Sequence, residues 1–532
     1  MRGEIVQGKN DTLADKVLLS NAIFNGLENE ASPGFIALRG ACIAAVGRPE
    51  EAQAWIGAGT VVCDLGDAFI MPGVHDNHVF FTGYMSMHRG VDLTHAASIE
   101  EAVESMLQAA NNLPPGKDVT AYGWSEEGWG KLPEQSLLDD LFPDRAVIAI
   151  NLNKSYCWMN RLAQEKYQFL PNQCSAEARA LLLQAMMKDH SLVKQEFMEF
   201  CRILAARGVT SIKDIGFDRH SELLPILEEL KETGELPLRF HFSLEPVVEP
   251  LDIGTGMKYK ALYNGDLIRF QGYKLMLDGV VADHTGDMLE PYADMPEVTN
   301  LRTVDYEKIE ASVLEADSQG IKCCLTAEGD AAIRQAVSMI EKCREQQGNN
   351  LIRHSISDLE YPHPDDLIRM GKNEIFAEVY AQILLLNPTY EEAYMPVVVG
   401  KGNENRFYNY KSMLEANVPI TIGTDLPLFI TSVPDSLYSA SHRLFPDGSP
   451  AGGWYPDRGM PPSEVLKAWT INGARHCYME EVTGTLEAGK YADIAVFDRN
   501  LLNASAGDIR DAQVILTIMG GKVTYNHSWN EG

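Results

Sequence analysis

The sequence lacks any uninterrupted apolar run of the roughly 18 residues that a membrane-spanning helix needs. Its first residues, MRGEIVQGKNDTLADK, are polar and of mixed charge, without the apolar core that a signal peptide requires. These two absences argue against a membrane partner and against export. We therefore expect a cytoplasmic protein.

Basic residues are scarce relative to acidic ones. The chain has 45 Lys and Arg against 75 Asp and Glu, which gives a formal net charge of −30. A nucleic-acid-binding protein needs a basic face, so this balance argues against such a partner. The nine cysteines are odd in number and form no CxxC pair, which predicts reduced thiols rather than a disulfide framework.

The two ends of the 532-residue chain share one pattern. KVLLSNAIFNG, FIALRGACIAAVG and TVVCDLGDAFIMPG alternate short apolar runs with turn residues, as do TGTLEAGKYADIAVFDRN and AQVILTIMGGKVTYN near the end. Such runs are typical of β-strands joined by tight turns. The pattern predicts a small β-sandwich domain assembled from residues 1–70 and 480–532.

The middle of the chain alternates apolar runs with amphipathic helices. GVTSIKDIG precedes the helical SELLPILEELKETG and the strand-like LRFHFSL, and similar pairs follow as far as PITIGTDLP. This order predicts βα units around a parallel sheet, and seven or eight units fit a TIM (β/α)₈ barrel over residues 71–479. The fold class is therefore α/β. Residues 82–194 are predicted to be a helical insertion over the barrel mouth, which contains WSEEGWG and ARALLLQAMM.

Ionisable residues at the ends of apolar runs are the candidates for chemistry, because active sites of such barrels lie at the C-terminal ends of strands. An unpaired lysine inside an apolar strand is costly and needs a partner. One lysine, one aspartate and two histidines on separate strands can converge on a cation such as Zn²⁺. The candidates are His78 in IMPGVHDNHVFF, Lys274 in FQGYKLMLDG, His354 in LIRHS and Asp425 in ITIGTD.

Several ordered motifs resemble the amidohydrolase superfamily, and specifically its YtcJ-like branch, amidohydrolase family 3. MPGVHDNHVF is similar to the strand-one motif PGxxDxHxH, and GYKLMLDGVV is similar to the segment with the metal-bridging, carboxylated lysine. LTAEGDAAI resembles HAxGDxAI, LIRHS resembles the next histidine strand, and ITIGTDLPL resembles GSDxP. The resemblance covers essentially the whole chain and implies metal-dependent hydrolysis on a (β/α)₈ barrel.

The resemblance also implies which metal ligands this chain keeps and which it loses. His78 matches the first histidine of HxH, but Phe80 replaces the second. Lys274 matches the bridging lysine, and Thr326 replaces the next histidine. His354 and Asp425 match the last histidine and the catalytic aspartate. The losses fall on both halves of a two-metal site, which leaves ligands for one ion at most.

Two states of this site stay open. Zinc or another divalent metal could be held by His78, Asp425 and either a carboxylated Lys274 or His354. With no metal bound, Lys274 is expected to be an ammonium paired with Asp425 or Asp278, which is an arrangement that suits acid/base chemistry.

Other residues are candidates for contact with a substrate. His284 lies on the loop after the lysine strand, and the resemblance places Phe80 and Thr326 at former ligand positions in the pocket wall. Trp124 and Tyr156 belong to the aromatic cluster of the insertion. The competing interpretation is core packing for the aromatic residues and a solvated loop for His284.

The leading prediction is an enzyme that hydrolyses an amide or related C–N bond, other than a peptide bond, in a small molecule. Asp425, Lys274 and His354 are the predicted catalytic residues. Two alternatives remain: a metal-independent enzyme for proton transfer, elimination or cyclisation, and a non-catalytic binding protein. A homodimer is the default expectation for a closed symmetric assembly.

Overall fold

The computed structural model describes residues 13–87, 90–114, 116–152, 155–168, 170–173, 183, 186–216, 220–246, 251–347, 352–386 and 394–527. The chain forms two compact units. The first comprises residues 1–79, 201–219 and 235–532, and the second comprises residues 80–200 and 220–234.

The ends of the chain meet in one eight-stranded sheet of the first unit. Strands are numbered in chain order, and this sheet runs β20-β19-β18-β5-β1-β2-β3, with β4 also paired to β1. The antiparallel pairing of β5 with β18 joins the N-terminal strands to the C-terminal ones. The strands are β1 Lys16–Ile23, β2 Ser32–Arg39, β3 Cys42–Gly47, β4 Val61–Asp64, β5 Phe69–Pro72, β18 Ile494–Phe497, β19 Val514–Met519 and β20 Lys522–Asn526.

Eight parallel strands of the same unit form the barrel. Each pairs in parallel with the next, and a bridge between Val79 and Leu426 links the last strand region to the first. The predicted α/β barrel is therefore confirmed, and the strands of both chain ends share one sheet in the same compact unit. The barrel strands are β6 Val74–Val79, β11 Val209–Gly216, β12 Arg239–Leu244, β13 Ile268–Met276, β14 Cys323–Ala327, β15 Ser355–Asp358, β16 Phe376–Val379 and β17 Ile420–Ile422.

Helices follow most barrel strands, and their sequences explain where they begin. The helix Tyr306–Ser318, for example, begins after Asp305, whose carboxylate accepts the backbone N–H of Lys308, and it buries Val313 and Ala316. The α-helices that lie within the first unit are Ile253–Leu262, Tyr306–Ser318, Asp330–Gln347, Pro364–Lys372, Met395–Val398, Tyr410–Glu415, Val433–Ser436, Pro462–Trp469, Ile471–His476 and Ala506–Arg510.

Shorter helical turns complete this unit. They are the 3₁₀ turns Pro49–Trp55, Ile383–Leu385, Glu404–Arg406 and Pro456–Arg458, and the π turn Leu437–Ser441. The helix His190–Ala205 runs from the second unit into the first. Among the described residues, no helix combines the length and apolarity needed to cross a bilayer.

The second unit has its own sheet, in the order β10-β9-β8-β7. The strands are β7 Val91–Asp92, β8 Val119–Trp124, β9 Val147–Asn151 and β10 Cys157–Met159. Its helices are Phe81–Met87, Ile99–Asn112, Glu126–Trp129, Gln135–Leu141, Arg161–Tyr167 and Leu223–Glu232, with a 3₁₀ turn at Pro171–Gln173.

The residues predicted to be a helical insertion thus contain four strands as well as helices. VTAYGW and VIAIN alternate with helices and bury one apolar face against them, as βα units do. Most of the ARALLLQAMM segment lies outside the described residues.

Candidate active site

Ionisable side chains collect at the C-terminal ends of the barrel strands, where parallel strands end at one edge. His78 lies near the end of β6, Lys274 near the end of β13, and Asp358 is the last residue of β15. Glu245 and Tyr380 directly follow β12 and β16, and Asp425 lies just beyond β17. The barrel topology therefore gathers residues that are up to 347 positions apart in the sequence, as His78 and Asp425 show.

Lys274 lies among three carboxylates. Its Nζ is 3.6 Å from Oε1 of Glu245, and both side chains are buried. Burial alone would lower the pKa of Lys274, but the negative charges of Glu245, Asp358 and Asp425 outweigh it and raise that pKa. The acidic groups around Lys274 therefore favour its ammonium form.

Asp425 is the carboxyl group best placed to exchange a proton near neutral pH. Burial and the negative charge of Asp358 raise its pKa to about 7, although the ammonium of Lys274 acts in the opposite direction. The side chain remains 31% exposed, so a small molecule can reach it. The backbone of both Asp425 and Asp358 has a left-handed conformation, with φ of 51° and 69°. Such strain often accumulates at functional sites.

His78 is a neutral imidazole with a fixed proton position. Burial and the nearby ammonium of Lys274 lower its pKa to about 3. Its Nδ1 lies 3.3 Å from the Glu378 carboxylate, so the ring proton is on Nδ1 and is donated to Glu378. Nε2 then carries the lone pair, 3.7 Å from Oδ1 of Asp425 and 3.4 Å from the hydroxyl of Tyr380. Since the ring is neutral, the contact with Asp425 is not an ion pair.

Glu378, on β16, anchors His78 from inside the barrel. Lys213 donates to its Oε2 at 2.6 Å, Ser355 donates to its Oε1 at 2.5 Å, and His476 Nε2 lies 3.0 Å from Oε1. Burial would raise the pKa of Glu378, but the positive charge of Lys213 and these hydrogen bonds hold it well below its usual range. Glu378 is therefore an ionised acceptor for His78.

The side chains at the strand ends include the donor types that a divalent cation takes. Zinc and similar ions take imidazole nitrogen and carboxylate oxygen, and ligating histidines commonly donate their second N–H to a carboxylate, as His78 does to Glu378. Oε2 of Glu245 and Oδ2 of Asp358 are buried and have no hydrogen-bond partner among the described residues. The ammonium of Lys274 disfavours a second cation.

The structure does not place His354 in this site. His354 precedes β15 and therefore lies at the opposite, N-terminal end of the barrel. Its Nδ1 accepts the backbone N–H of Cys323, and its Nε2 lies 2.9 Å from Oδ1 of Asp317. The predicted ligand and catalytic role of His354 is corrected on this geometry, because the residue is remote from His78 and Lys274.

Asp317, Cys343 and His354 form a separate buried cluster whose donor atoms lie within 4.8 Å of one another. Hydrogen bonds engage His354 in this cluster. Since Nδ1 of His354 accepts a hydrogen bond, Nε2 carries the ring proton and donates it to Asp317. Burial and the charge of Asp317 raise the pKa of Cys343 to about 12, so its thiol stays protonated.

Asp358 and Glu245 are site residues that the motif comparison missed. Both end an apolar strand sequence, SISD in one case and RFHFSLE in the other. The strand-end rule, applied to every apolar run, would have found them. Asp358 lies four residues after His354 and ends β15, the sixth strand of the barrel. The resemblance led us to expect a histidine at the end of this strand.

The other former ligand positions hold no strong ligand. Thr326 is buried on β14, and its hydroxyl hydrogen-bonds to that of Ser357, 2.9 Å away on the next strand. Phe80 directly follows β6, and its buried side chain offers no donor atom. Asp278 accepts backbone N–H groups from Asp287, Glu328 and Gly329, so it supports the loop rather than pairing with Lys274.

The residues predicted to contact substrate lie elsewhere in the two units. Nε2 of His284 is 3.0 Å from both carboxylate oxygens of Asp294, which fixes its loop. In the second unit, Trp124 is fully buried, donates its indole N–H to the carbonyl of Ala149 and packs edge-to-face with Tyr156. Trp124 and Tyr156 therefore contribute to packing of that unit.

Comparison with known proteins agrees with this architecture. The protein LONG AFTER FAR-RED 3 of Arabidopsis thaliana is 24% identical over 549 residues, which span 96% of this chain and 92% of that protein. An N-substituted formamide deformylase of Arthrobacter pascens is 21% identical, over 93% of this chain and 95% of the deformylase.

A solved structure shares the fold. The crystal structure of an uncharacterized metal-dependent hydrolase from Pyrococcus furiosus superposes with a TM-score of 0.73 at 21% identity, and the match covers 92% of this chain and all of that one. A sequence profile described as the amidohydrolase family matches residues 61–525. The family predicted from the motifs is confirmed: the chain belongs to the amidohydrolase family.

Proposed function

We propose that the protein hydrolyses an amide or related C–N bond of a small molecule at the C-terminal ends of the barrel strands. The observation that carries this proposal is the Asp425 carboxyl, with a pKa of about 7, beside the ammonium of Lys274. A base that titrates near neutral pH suits removal of a proton from water, and a fixed cation suits a developing oxyanion.

The roles of the residues follow from their charges. Ionised Asp425 takes a proton from a water molecule as the water oxygen attacks the carbonyl carbon. The electrons of the C=O bond move onto the carbonyl oxygen. Lys274 donates a hydrogen bond to that oxygen, while Glu245, 3.6 Å from Nζ, keeps the ammonium oriented. Protonated Asp425 then gives its proton to the leaving nitrogen, and the C–N bond breaks.

We propose at most one divalent cation, zinc being the natural candidate for this donor set. His78 and Asp358 would hold it, and it would polarise a carbonyl as a Lewis acid, which leaves Asp425 as the base. Lys274 is proposed to stay uncarboxylated, because carboxylation needs a neutral amine and the surrounding carboxylates raise the pKa of Lys274. The relative named for N-substituted formamides supports a small amide as the substrate.

The test is a screen of N-formyl, N-acyl and urea-type compounds for amine release by the full chain. The variant Asp425→Asn removes the proposed base and is expected to lower kcat by about 10²–10⁴-fold. The activity of the unaltered protein is expected to rise with pH through about 7, since Asp425 must be ionised. Asp447→Asn, at an exposed loop residue, is the matched control and should keep full activity.

A metal-independent reaction is the second candidate, because the ammonium of Lys274 and the carboxyl of Asp425 form an acid/base pair. Metal analysis together with chelation separates the two candidates. Loss of activity on chelation and its return with zinc would support the hydrolase. Turnover that needs Lys274 and Asp425 but ignores the chelator would overturn the metal-assisted version, and release of no amine from any compound would overturn the hydrolysis.

A further inference from the structure

A cavity lies at the opposite end of the barrel strands from Asp425. It has a volume of about 510 Å³ and is bordered by the first residues of β13, the residues just before β14, and the end of the helix Ile253–Leu262. A volume in this range accommodates a small organic molecule. The lining residues that matter to its chemistry are Lys260, Arg269, Gln271, Asp317, Lys322 and Tyr478.

Positive charge dominates this lining although the chain has a net charge of −30. Lys260 donates to the carbonyl of Gln319, and neither Lys260 nor Lys322 is ion-paired with a carboxylate among the described residues. Arg269 has a loose pair with Asp266 at 3.4 Å. Asp317, the one carboxylate among the lining residues, already accepts a hydrogen bond from His354.

Two residues of the cavity lining are almost completely buried. Lys322 is only 5% exposed, and its Nζ donates to the backbone carbonyl of His476 at 2.8 Å. Gln271 is 4% exposed, and its Nε2 donates to the carbonyl of Cys477 at 2.9 Å. Lys322 is therefore a buried amine beside the cavity, without a carboxylate partner among the described residues.

We propose that this cavity binds a small organic anion, such as a hydroxycarboxylate or a phosphate ester. Lys260, Arg269 and Lys322 supply the charge that attracts the anionic group. The ring of Tyr478, which lines the cavity, gives the ligand an apolar wall.

Binding of an anion here has a consequence for protons. Burial and the charge of Lys213 lower the pKa of Lys322 to about 7. The other ionisable groups that face Lys322 are His476, Glu378, Cys324, Cys477 and His241. Of these, Glu378 is ionised, and both thiols have raised pKa values and stay protonated. A bound anion stabilises the ammonium of Lys322, so binding at pH 8 takes up protons.

A chain of direct contacts connects this cavity with the active site. Nζ of Lys322 lies 2.6 Å from Nε2 of His476, and the same nitrogen lies 3.0 Å from the Glu378 carboxylate that orients His78. Nε2 of His476 carries at most one proton, so it cannot both accept from Lys322 and donate to Glu378. Protonation of Lys322 therefore weakens one of the contacts to Glu378.

Titration calorimetry of the full chain tests the proposal. The probes are malate, glycerol 3-phosphate and inorganic phosphate, with glycerol as the uncharged control. We expect saturable binding of malate or glycerol 3-phosphate to one site, weaker binding of phosphate and none of glycerol. Experiments at pH 8 in Tris and in HEPES should give different heats, because protons are taken up from the buffer. Absence of saturable binding of all three anions would overturn the proposal.

Variants locate the binding. Lys322→Met and Lys260→Met are each expected to weaken binding by about tenfold or more, and Lys322→Met should abolish the proton uptake. Lys258→Met is the matched control, since Lys258 lies on the same helix but does not line the cavity, and its affinity should be unchanged. Equal weakening by all three variants would overturn the site. Lys260 is exposed, so its variant keeps the test valid if Lys322→Met does not fold. No turnover is measured, so this test is independent of the proposed hydrolysis.

Discussion

At the residue scale, the protonation of Asp425 depends on the cation beside it. Burial and the charge of Asp358 raise the pKa of Asp425, and the positive charge of Lys274 lowers it. Removing that charge in Lys274→Met destabilises the ionised carboxylate, so the pKa of Asp425 should rise above about 7. The midpoint of the pH dependence of kcat/KM should move to higher pH by the same amount.

The measurement is a pH profile of the unaltered protein and of Lys274→Met at constant ionic strength. Lys411→Met is a suitable control, because Lys411 lies on an exposed helix face, where it pairs with Glu415 at 3.7 Å. An unshifted midpoint in Lys274→Met, with activity still measurable, would contradict the assignment of Asp425 as the titrating base.

At the scale of elements, the exact position of a residue on its strand decides its role. His354 and Asp358 are four residues apart, yet one precedes β15 and the other ends it. We predict that His354→Ala destabilises the fold by on the order of 3 kcal/mol, because Asp317 and the backbone N–H of Cys323 both lose a buried partner. The kcat of the folded fraction should be unchanged. Asp358→Asn should instead lower kcat and leave the urea-unfolding midpoint close to that of the unaltered protein.

The same two residues show what the sequence could and could not predict. Alternation of apolar runs and helices is local, so the barrel strands and the site residues His78, Lys274 and Asp425 could be predicted from it. The RHS segment resembles a ligand strand, but the hydrogen-bonded part of β15 begins one residue after His354. Strand boundaries depend on pairing with β14 and β16, so the resemblance alone selected His354 and not Asp358, the residue at the end of the strand.

Glu245 and the positive cavity were missed for a different physical reason. The importance of Glu245 comes from Lys274, which lies on the neighbouring strand and 29 residues later. Lys260, Arg269 and Lys322 are unremarkable singly, and only the fold places them around one space. The clustering of charge across elements is a tertiary property, whereas the end of an apolar run can be read locally.

At the scale of the whole first unit, a buried ion pair joins the barrel to the sheet made from both chain ends. Arg239, the first residue of β12, donates to both carboxylate oxygens of Asp493, at 2.6 and 3.1 Å, and Asp493 directly precedes β18. Both residues are almost completely buried. Burial would lower the pKa of Arg239, but the charge of Asp493 keeps it raised, so the guanidinium is charged.

Removing one partner of this pair should cost more than removing the charge from both. Arg239→Met leaves the Asp493 carboxylate buried without a counter-charge and is expected to cost about 3–5 kcal/mol of unfolding free energy. In Arg239→Met with Asp493→Asn, the amide oxygen can still accept the backbone N–H of Gly520, which now donates to Asp493 at 2.8 Å. We therefore expect the double variant to be more stable than Arg239→Met alone.

Urea-unfolding midpoints measure this order of stability. Arg499→Met, at an exposed ion pair, is the control, and its midpoint should stay at the value of the unaltered protein. A double variant no more stable than Arg239→Met would show that the carboxylate is not left uncompensated, and the link between barrel and sheet would then rest on strand pairing and apolar packing.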